Sequence, residues 1–249
     1  MIAALRGDGL EALRAAGFAG LRVVGDVHGE AAQFRAALEG ARVERRFIIQ
    51  LGDLTDYGPD SPGVLRLAFA MLDAGAGVFL LGNHDHKLRR ALDGAKVRSP
   101  PEAIPRTLAQ LAEAPDGLAL AERALREIGA APAWLHLGHR LFVHAAFHRT
   151  MMLSPPHADA GRHKPDTVLS RALFGQVTGR LLANGYPERL LGWVDTIPRG
   201  MEVFVGHDPR SRDGRPLRVS GRQGGEAVFM DTGAGKGGHL SWMDLDLPA

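Results

Sequence analysis

Residues able to bind metal ions follow short apolar segments at five places along the chain. The segments are rich in Val, Ile, Leu and Phe, and Asp, Asn or His comes directly after them or after one intervening glycine. The residues concerned are Asp26, His28, Asp53, Asn83, His84, His144 and His207. Oxygen and imidazole ligands without sulfur are typical of manganese, iron, zinc or a similar first-row ion rather than of calcium. The sequence therefore predicts metal-dependent chemistry.

Two divalent ions bound side by side need a ligand that serves both, and a carboxylate with two oxygens meets that need. Asp53 is the expected bridge. The other expected ligands are Asp26 and His28 for one ion, and Asn83, His144 and His207 for the second. Manganese is the first expectation for both ions, with iron, zinc, nickel and magnesium as alternatives. Two cations roughly 3.5–4 Å apart lower the pKa of a shared water and neutralise developing charge on the attacking and leaving oxygens of a reaction.

The composition excludes several other classes of function. The 249 residues include no cysteine, which excludes disulfides, thiolate metal sites and cysteine nucleophiles. Lys and Arg number 30 against 28 Asp and Glu, so we expect no strong surface for duplex nucleic acid. No apolar run approaches the roughly 20 residues that span a bilayer, and the N-terminus has the pattern of a short amphipathic helix. We therefore expect no membrane contact and a cytoplasmic protein.

Six apolar runs supply the strands that would position these residues. They are LRVV, RFIIQ, VFLL, RLFV, MEVFV and EAVFM, and such continuous runs indicate strands buried on both faces. Helical segments at 30–41 and 61–75 separate the first three runs, which predicts a βαβαβ unit. Because the carboxyl ends of adjacent strands meet at one edge of an open sheet, we expect the polar residues to converge there.

The rest of the chain is expected to complete one domain over residues 1–249. Residues 86–133 are rich in Ala and Leu and are predicted to form several short helices. Residues 147–200 carry fewer strand signals, and we expect them to form a cap insertion over the site. Turn-forming residues after Pro209 predict β-hairpins in the tail.

Five motifs together resemble those of the calcineurin-like metallophosphoesterases. They are GDVHG (25–29), GDLTDYG (52–58), GNHD (82–85), VHAA (143–146) and GHD (206–208). The branch they are similar to includes the phosphoprotein phosphatases, bacterial dinucleoside tetraphosphatases and the phosphatase module of bacterial polynucleotide kinase-phosphatase. The resemblance implies an α/β fold, a four-layer α/β/β/α sandwich of two mixed β-sheets flanked by helices.

Within this branch, three segments look most like the polynucleotide kinase-phosphatase module. They are residues 82–94, 184–193 and 230–240. We expect a free-standing relative of that module, without its kinase and ligase domains.

The resemblance also implies a reaction in which a hydroxide bridging two divalent metals attacks phosphorus in line. His84 directly follows the ligand Asn83 and is expected to act as general acid on the leaving group. Asp85 is expected to accept the other ring N–H of His84; the alternative is that it caps the following helix. By resemblance Asp231 lies near the site, and the alternative is a turn residue ahead of Gly233.

Tyr57 departs from the family pattern, because relatives commonly have arginine there in a D-R-G motif. Such a guanidinium grips a substrate phosphate through two hydrogen bonds, whereas tyrosine donates one hydrogen bond or stacks on a flat group. Arg189, in the expected cap, matches an arginine of the kinase-phosphatase module and is the first candidate to compensate. Arg149 and Arg210 lie near ligand motifs, but solvated surface arginines are the simpler interpretation. A less charged substrate is the remaining explanation.

The leading function is hydrolysis of phosphate monoesters, with a phosphorylated protein, nucleotide or small molecule as substrate. Hydrolysis of dinucleoside polyphosphates or of cyclic and other phosphodiesters is the alternative among enzymes. An inactive metal-binding recognition module is the alternative from another class, and the presence of all six expected ligands disfavours it. The segment GAGKGG at 233–238 is interpreted as a glycine-rich turn rather than a dinucleotide-binding motif.

Overall fold

Two mixed β-sheets form the centre of the structure, a computed structural model that describes residues 9–183 and 187–247. The first sheet has four strands, in the order β11 (Trp242–Asp246), β1 (Gly20–Val24), β2 (Arg46–Gln50) and β3 (Gly77–Phe79). Strands β1, β2 and β3 run parallel, and β11 is antiparallel to β1. The parallel part of this sheet is the predicted βαβαβ unit.

The second sheet has five strands. In spatial order they are β4 (Trp134–Leu137), β5 (Arg140–Val143), β8 (Glu202–Val205), β10 (Glu226–Phe229) and β9 (Leu217–Ser220). Strands β5, β8 and β10 run parallel, and the edge strands β4 and β9 are antiparallel to their neighbours. A separate hairpin pairs β6 (Val177–Leu181) with β7 (Pro187–Arg189). All six predicted apolar runs contain strands.

Helices lie between many of the strands in the described chain. The α-helices are α1 (Gly9–Ala15), α2 (Ala31–Val43), α3 (Ser61–Asp73), α4 (Asn83–Leu92), α5 (Ile104–Glu113), α6 (Gly117–Ala130) and α7 (Thr167–Phe174). Short 3₁₀ helices cover Arg149–Met152, Ala160–Arg162 and Val194–Thr196. Helix α3 begins at its Ser–Pro pair, where the Asp60 carboxylate accepts the Gly63 N–H at 2.7 Å. None of the described helices is both long and apolar enough to cross a bilayer.

The two sheets pack face to face, and helices cover their outer faces. Alternate side chains of a strand point to opposite sides, so Val23 of β1 packs between the sheets while Val24 packs against helices. Phe142 and Phe204 from the second sheet stack in the layer between the sheets, with 5.2 Å between ring centroids. This arrangement confirms the four-layer α/β/β/α sandwich.

The tail of the chain differs in part from its prediction. Strands β9 and β10 form an antiparallel hairpin as expected, but β11 leaves the second sheet and pairs with β1. Arg22 of β1 is buried and forms two 2.7 Å hydrogen bonds to Asp244 of β11. It also donates to the carbonyl of Ala37 at 2.9 Å. Because a buried charge needs such partners, this ion pair favours β11 at the edge of the first sheet.

Candidate metal centre

The predicted ligands follow five strands and meet at one edge of the sandwich. In the first sheet, the loops after β1 and β2 carry Asp26, His28 and Asp53, and Asn83 is the first residue of α4 after β3. The loops after β5 and β8, from the second sheet, carry His144 and His207. All are buried except His207, whose ring is partly exposed although its Nε2 atom is buried.

Asp53 lies between histidines from the two sheets. Its Oδ2 atom is 3.7 Å from Nε2 of His28 and 3.4 Å from Nε2 of His144. Its Oδ1 atom accepts the backbone N–H of His84 at 2.8 Å, which orients the carboxylate. One carboxylate therefore faces an imidazole of each expected site, as a bridging ligand must.

The part of the cluster around His144 has the donors of a cation site. Nε2 of His144 lies 3.0 Å from Oδ1 of Asn83. One potential ligand atom from each of Asp53, His144 and His207 lies within 4.8 Å of the others. The buried Nε2 of His207 has no hydrogen-bond partner among the described residues. A divalent cation would satisfy this nitrogen, which is otherwise costly to bury.

Backbone carbonyls determine which nitrogen two of the imidazoles present. The Nδ1–H of His28 donates to the carbonyl of Thr55 at 2.9 Å, and that of His144 donates to the carbonyl of Leu51 at 2.8 Å. Nε2 of each ring then faces Asp53. Metal-binding histidines are typically oriented by such a contact on the opposite nitrogen.

Asp26 and Asp231 add two buried carboxylates beside this cluster. Oδ2 of Asp26 accepts the backbone N–H of His207 at 3.0 Å, a contact between loops of the two sheets. Oδ1 of Asp231 accepts the Gly233 N–H at 2.9 Å, and its buried Oδ2 has no hydrogen-bond partner in the described chain. Burial raises the pKa of Asp26, and the charge of Asp231 raises it further. A bound cation would relieve this repulsion.

The charges at the centre of the cluster are strongly coupled. Burial alone would raise the pKa of Asp53, but His144 and His84 hold it well below its usual value. Burial alone would lower the pKa of His144, but Asp53 raises it to about 9. Asp53 is therefore ionised near neutral pH and available to cations.

His84 borders the cluster, and Asp56 holds its ring. Nδ1 of His84 is 2.5 Å from Oδ2 of Asp56, and Thr107 donates its hydroxyl to the other carboxylate oxygen at 2.6 Å. Asp56 and Thr107 are completely buried. The expected contact between the His84 ring and Asp85 is therefore wrong, and Asp56 takes that position.

Asp85 instead connects backbone segments around the cluster. Its carboxylate accepts the N–H of Asp53 at 2.7 Å and those of Leu54 and Gly82 at 3.0 Å. Burial and the Asp53 charge raise the pKa of Asp85 to about 6. Adjacent residues on a helix point roughly 100° apart, so the carboxylate reaches back to the N–H groups before α4 and not to the His84 ring.

Tyr57 also borders the cluster, and a lysine that the motifs do not predict lies over its ring. The Tyr57 ring is 5.0 Å from that of His28 and 5.4 Å from that of His84 between centroids. Nζ of Lys236 lies 4.5 Å from the Tyr57 ring centroid and 3.0 Å from Nε2 of His28. Lys236 belongs to the segment GAGKGG, so this segment places a charged side chain at the cluster in addition to forming a turn.

Arg189 approaches the cluster from the expected cap. Burial lowers the pKa of His207, and the charges of His144 and Arg189 lower it further. Residues 184–186 of the segment that carries Arg189 lie outside the described residues. The two other arginines considered from the sequence, Arg149 and Arg210, pair with Gln223 and Asp208.

The backbone around the cluster adopts an unusual conformation. Five of its residues have positive φ although none is glycine: His28 (45°), Asp53 (57°), Asp56 (77°), Tyr57 (60°) and His207 (65°). Left-handed backbone costs an L-residue on the order of 1 kcal/mol or more. Elsewhere in the described chain only Arg45 shares it among residues other than glycine. Such concentration of strain is typical of functional sites.

Three residues that the motifs do not predict, Asp56, Thr107 and Lys236, contact the predicted ones. The signal for Asp56 is the second aspartate of GDLTDYG, and the signal for Lys236 is one charged residue in a run of small residues. Thr107 lies in α5 without any local signal, because only the tertiary fold brings it to Asp56.

A carboxylate that faces imidazoles from both of two packed sheets, at their common edge, is the arrangement expected of a metallophosphoesterase, a class of metal-dependent hydrolase. Residues 21–151 match the family described as calcineurin-like phosphoesterase. The chain belongs to this family, which uses divalent metals and acts on phosphorylated substrates.

Several bacterial relatives span most of the chain. PrpE of Bacillus subtilis (strain 168), named bis(5'-nucleosyl)-tetraphosphatase [asymmetrical], is 28% identical over 233 residues, which cover 88% of each protein. The protein of the same name from Geobacillus thermodenitrificans (strain NG80-2) is 27% identical over 233 residues, covering 88% of this chain and 87% of that protein. These relatives fall within the branch predicted from the motifs.

Solved structures share the fold. A crystallised protein proposed to be a diadenosine tetraphosphatase has a TM-score of 0.56 and 24% identity, covering 92% of this chain and 90% of that one. A protein serine/threonine phosphatase from Saccharomyces cerevisiae has a TM-score of 0.55 and 12% identity, covering 100% and 90%. At these identities the likeness concerns the fold alone.

Proposed function

We propose that this chain hydrolyses phosphoric ester or anhydride bonds with two divalent cations bound around Asp53. The observation that carries the proposal is the position of Asp53 Oδ2, which faces both His28 and His144. When bound, the cations would supply a water nucleophile of lowered pKa and neutralise charge on the phosphate. The proposed ligands are Asp26, His28 and Asp53 for one ion and Asp53, Asn83, His144 and His207 for the other. Manganese is the proposed metal, with iron, zinc, nickel and magnesium as alternatives.

The chain's own residues have distinct proposed roles around these cations. His84 protonates the leaving group, because its ring borders the cluster and is held from the far side by Asp56. Asp56 keeps Nδ1 occupied, so Nε2 is the nitrogen that meets the substrate. Asp85 maintains the geometry of the loop that carries Asp53. Asp231 adds negative charge beside Asp26 and strengthens its attraction for a cation.

The favoured substrate is a dinucleoside polyphosphate. Both relatives described above are named asymmetrical tetraphosphatases. A basic cleft of about 610 Å³ offers room for a substrate with several phosphates, and its described lining includes no carboxylate. The basic lining residues of this cleft are His86, Lys87, Arg89, Arg90, Arg162, His163 and Lys164. The cleft is connected to the metal centre through Arg189, which donates a 2.8 Å hydrogen bond to the carbonyl of the lining residue Phe174 and whose charge acts on His207.

Residues 147–200 are proposed to act as the cap of the site. This segment carries Arg189 beside His207 and contributes Arg162 and Lys164 to the basic cleft. A cap with these charges would favour substrates with extended negative charge over small aryl phosphates.

The test is a comparison of three substrates with manganese-loaded protein. We expect two ions per chain by elemental analysis, and a higher kcat/KM for bis(5'-nucleosyl) tetraphosphate than for p-nitrophenyl phosphate or bis(p-nitrophenyl) phosphate. At most one ion per chain under saturating metal contradicts the two-cation proposal. A higher kcat/KM for the aryl monoester contradicts the substrate class and favours the phosphomonoesterase predicted from the sequence.

Substitutions in the cleft separate its role from that of the metal centre. Arg162→Glu with Lys164→Glu is expected to lower kcat/KM for the tetraphosphate about tenfold or more, with little change for p-nitrophenyl phosphate. Lys96→Glu is the matched control, since Lys96 is exposed outside the cleft. Equal losses on both substrates would contradict a role for the cleft in holding distal phosphates.

A further inference from the structure

We propose that Lys236 is the cation that binds the substrate phosphate beside the metal centre. It would take the part that arginine at position 57 commonly plays in relatives. This inference rests on the proposed function, and it explains why Tyr57 stands where a charged residue is expected. Its basis is the contact of Nζ with both Tyr57 and His28.

The glycine-rich segment delivers Lys236 to the site through a tight turn. The N–H groups of Lys236 and Gly238 both donate to the carbonyl of Gly233, at 3.0 and 2.9 Å. Gly235 and Gly237 flank the lysine with φ of +71° and +86°, a conformation that favours glycine. A Cβ atom at Gly235 would lie 2.5 Å from the carbonyl oxygen of His28, so only glycine allows the segment to pack this closely.

Tyr57 provides a platform for the lysine. Its own φ of 60° is strained for a side chain of this size, so its orientation is imposed by the surrounding fold. The ammonium of Lys236 lies 4.5 Å from the ring centroid, within the range of a cation–π contact. We infer that Tyr57 supplies the aromatic ring against which the cation packs, and that Lys236 supplies the positive charge.

The ammonium lies where an anion at the metal centre would meet it. Nζ is 3.0 Å from Nε2 of His28, the nitrogen proposed to bind a metal. An ammonium and a metal cation repel each other, so a bound metal would displace Nζ from His28 while the Tyr57 contact remains available. A flexible four-carbon stem allows this movement.

Two buried carboxylates lie within electrostatic range of the same ammonium. The charge of Lys236 acts on Asp26 and on Asp231. A metal bound by Asp26 would neutralise much of that negative charge. The phosphate of a substrate then becomes the neighbouring anion with oxygens free to accept the three ammonium donors.

Phosphate binding by the metal-loaded protein tests this role directly. Lys236→Met keeps the length of the side chain and removes its charge, and Lys236→Arg keeps the charge. Lys96→Met is the matched control for loss of a lysine. Isothermal titration with inorganic phosphate gives the Kd, and elemental analysis gives the metal content of each variant. We expect Kd to rise about 10- to 100-fold for Lys236→Met, and to stay within about threefold of the parent for the two others.

A second substitution tests whether a positive charge placed at position 57 can replace the charge removed from position 236. Tyr57→Arg is added to Lys236→Met, which returns the cation to the position it commonly has in relatives. We expect this double variant to recover most of the lost phosphate affinity. Recovery of phosphate affinity with unchanged metal content would support a positive charge that binds phosphate rather than one that stabilises the fold.

Three results would overturn the inference. The first is an unchanged phosphate Kd in metal-loaded Lys236→Met. The second is loss of metal from both Lys236→Met and Lys236→Arg, which would assign the lysine to the metal site itself. The third is no recovery in the double variant. The proposed function fails separately, if the parent protein loads metal but neither binds phosphate nor hydrolyses any of the three substrates.

Discussion

Asp56→Asn is the most informative single substitution, because it changes the partner of His84 without touching a proposed metal ligand. The amide keeps the size of the buried side chain and can still accept the Thr107 hydroxyl, which lies 2.6 Å from Oδ1. It removes the negative charge 2.5 Å from Nδ1 of His84. The ring form that carries the proton for the leaving group then loses its charge-assisted hydrogen bond and is less favoured.

The size of the effect follows from that hydrogen bond. A hydrogen bond to a charged group contributes about 1.5–3 kcal/mol, and about 1.36 kcal/mol corresponds to a tenfold change in rate. We therefore expect kcat to fall about 10- to 100-fold for Asp56→Asn. Removing the ring altogether, in His84→Ala, is expected to cost about 10²–10⁴-fold. Both variants are expected to retain metal.

The assay compares leaving groups that differ in their need for a proton. An alkyl phosphate needs a proton on departure, whereas p-nitrophenolate leaves without one, so the loss is expected to be larger on the alkyl substrate. Adding Asp56→Asn to His84→Ala is expected to cost nothing further, because Asp56 acts through the ring. Thr107→Ser keeps the hydroxyl and is the matched control.

Two outcomes would refute this reasoning. A loss of equal size on both substrates would show that Asp56 does not act through proton donation. A further tenfold loss on adding Asp56→Asn to His84→Ala would show that Asp56 has a role independent of the ring. Elemental analysis of each variant excludes loss of metal as the cause.

Three further substitutions test the metal centre and the fold. Asp53→Asn is expected to weaken metal binding by more than about 100-fold, and two ions retained per chain by elemental analysis would contradict its bridging position. Partial burial alone would raise the pKa of Asp244, but the hydrogen bonds from Arg22 lower it. The ion pair therefore stabilises the fold above the usual aspartate pKa of about 3.9, and this contribution is lost as the pH falls through the lowered pKa. Asp244→Asn is expected to reduce the free energy of unfolding by about 2 kcal/mol at pH 7 and by much less near pH 2, and equal losses in urea unfolding at both would be inconsistent with the pair. Phe142→Ala leaves a cavity at a fully buried position between the sheets and is expected to reduce the free energy of unfolding in urea by about 3–5 kcal/mol. The control Leu118→Ala, at an exposed position, is expected to reduce it by less than about 0.5 kcal/mol. Similar small losses for both variants would refute the packing between the sheets.

The strands that carry the ligands could be predicted because their surroundings leave little choice of sequence. A strand covered on both faces is mainly apolar, and the centre of β2, Phe47, Ile48 and Ile49, meets that requirement before the chain turns at Gly52. Polar residues without a partner inside the sheet are then expected where the strand ends. The position of Asp53 at the sheet edge is therefore visible in the sequence.

Edge strands were harder to predict, since one side of them faces solvent or a different partner. Strand β11 alternates exposed and buried residues, with Trp242 42% exposed, and its ion pair with β1 joins residues 222 positions apart. No local pattern indicates such a pairing.

The partner of the His84 ring could not be predicted for a related reason. Asp85 is its neighbour in sequence, but the ring contacts Asp56, which is 28 positions away and has a left-handed φ. Lys236 lies 208 positions from His28. Contacts across such separations depend on the assembled fold.

The proposed ligands follow strands of both sheets, so cation binding would depend on how the two sheets pack against each other. Asp53 and Asn83 follow strands of the first sheet, and His144 and His207 follow strands of the second. Any substitution in the intervening layer that lets the sheets slide would weaken affinity at a distance. By mass action, ions bound at these proposed ligands would in turn stabilise the packed sheets, so the free energy of unfolding would rise with the concentration of metal.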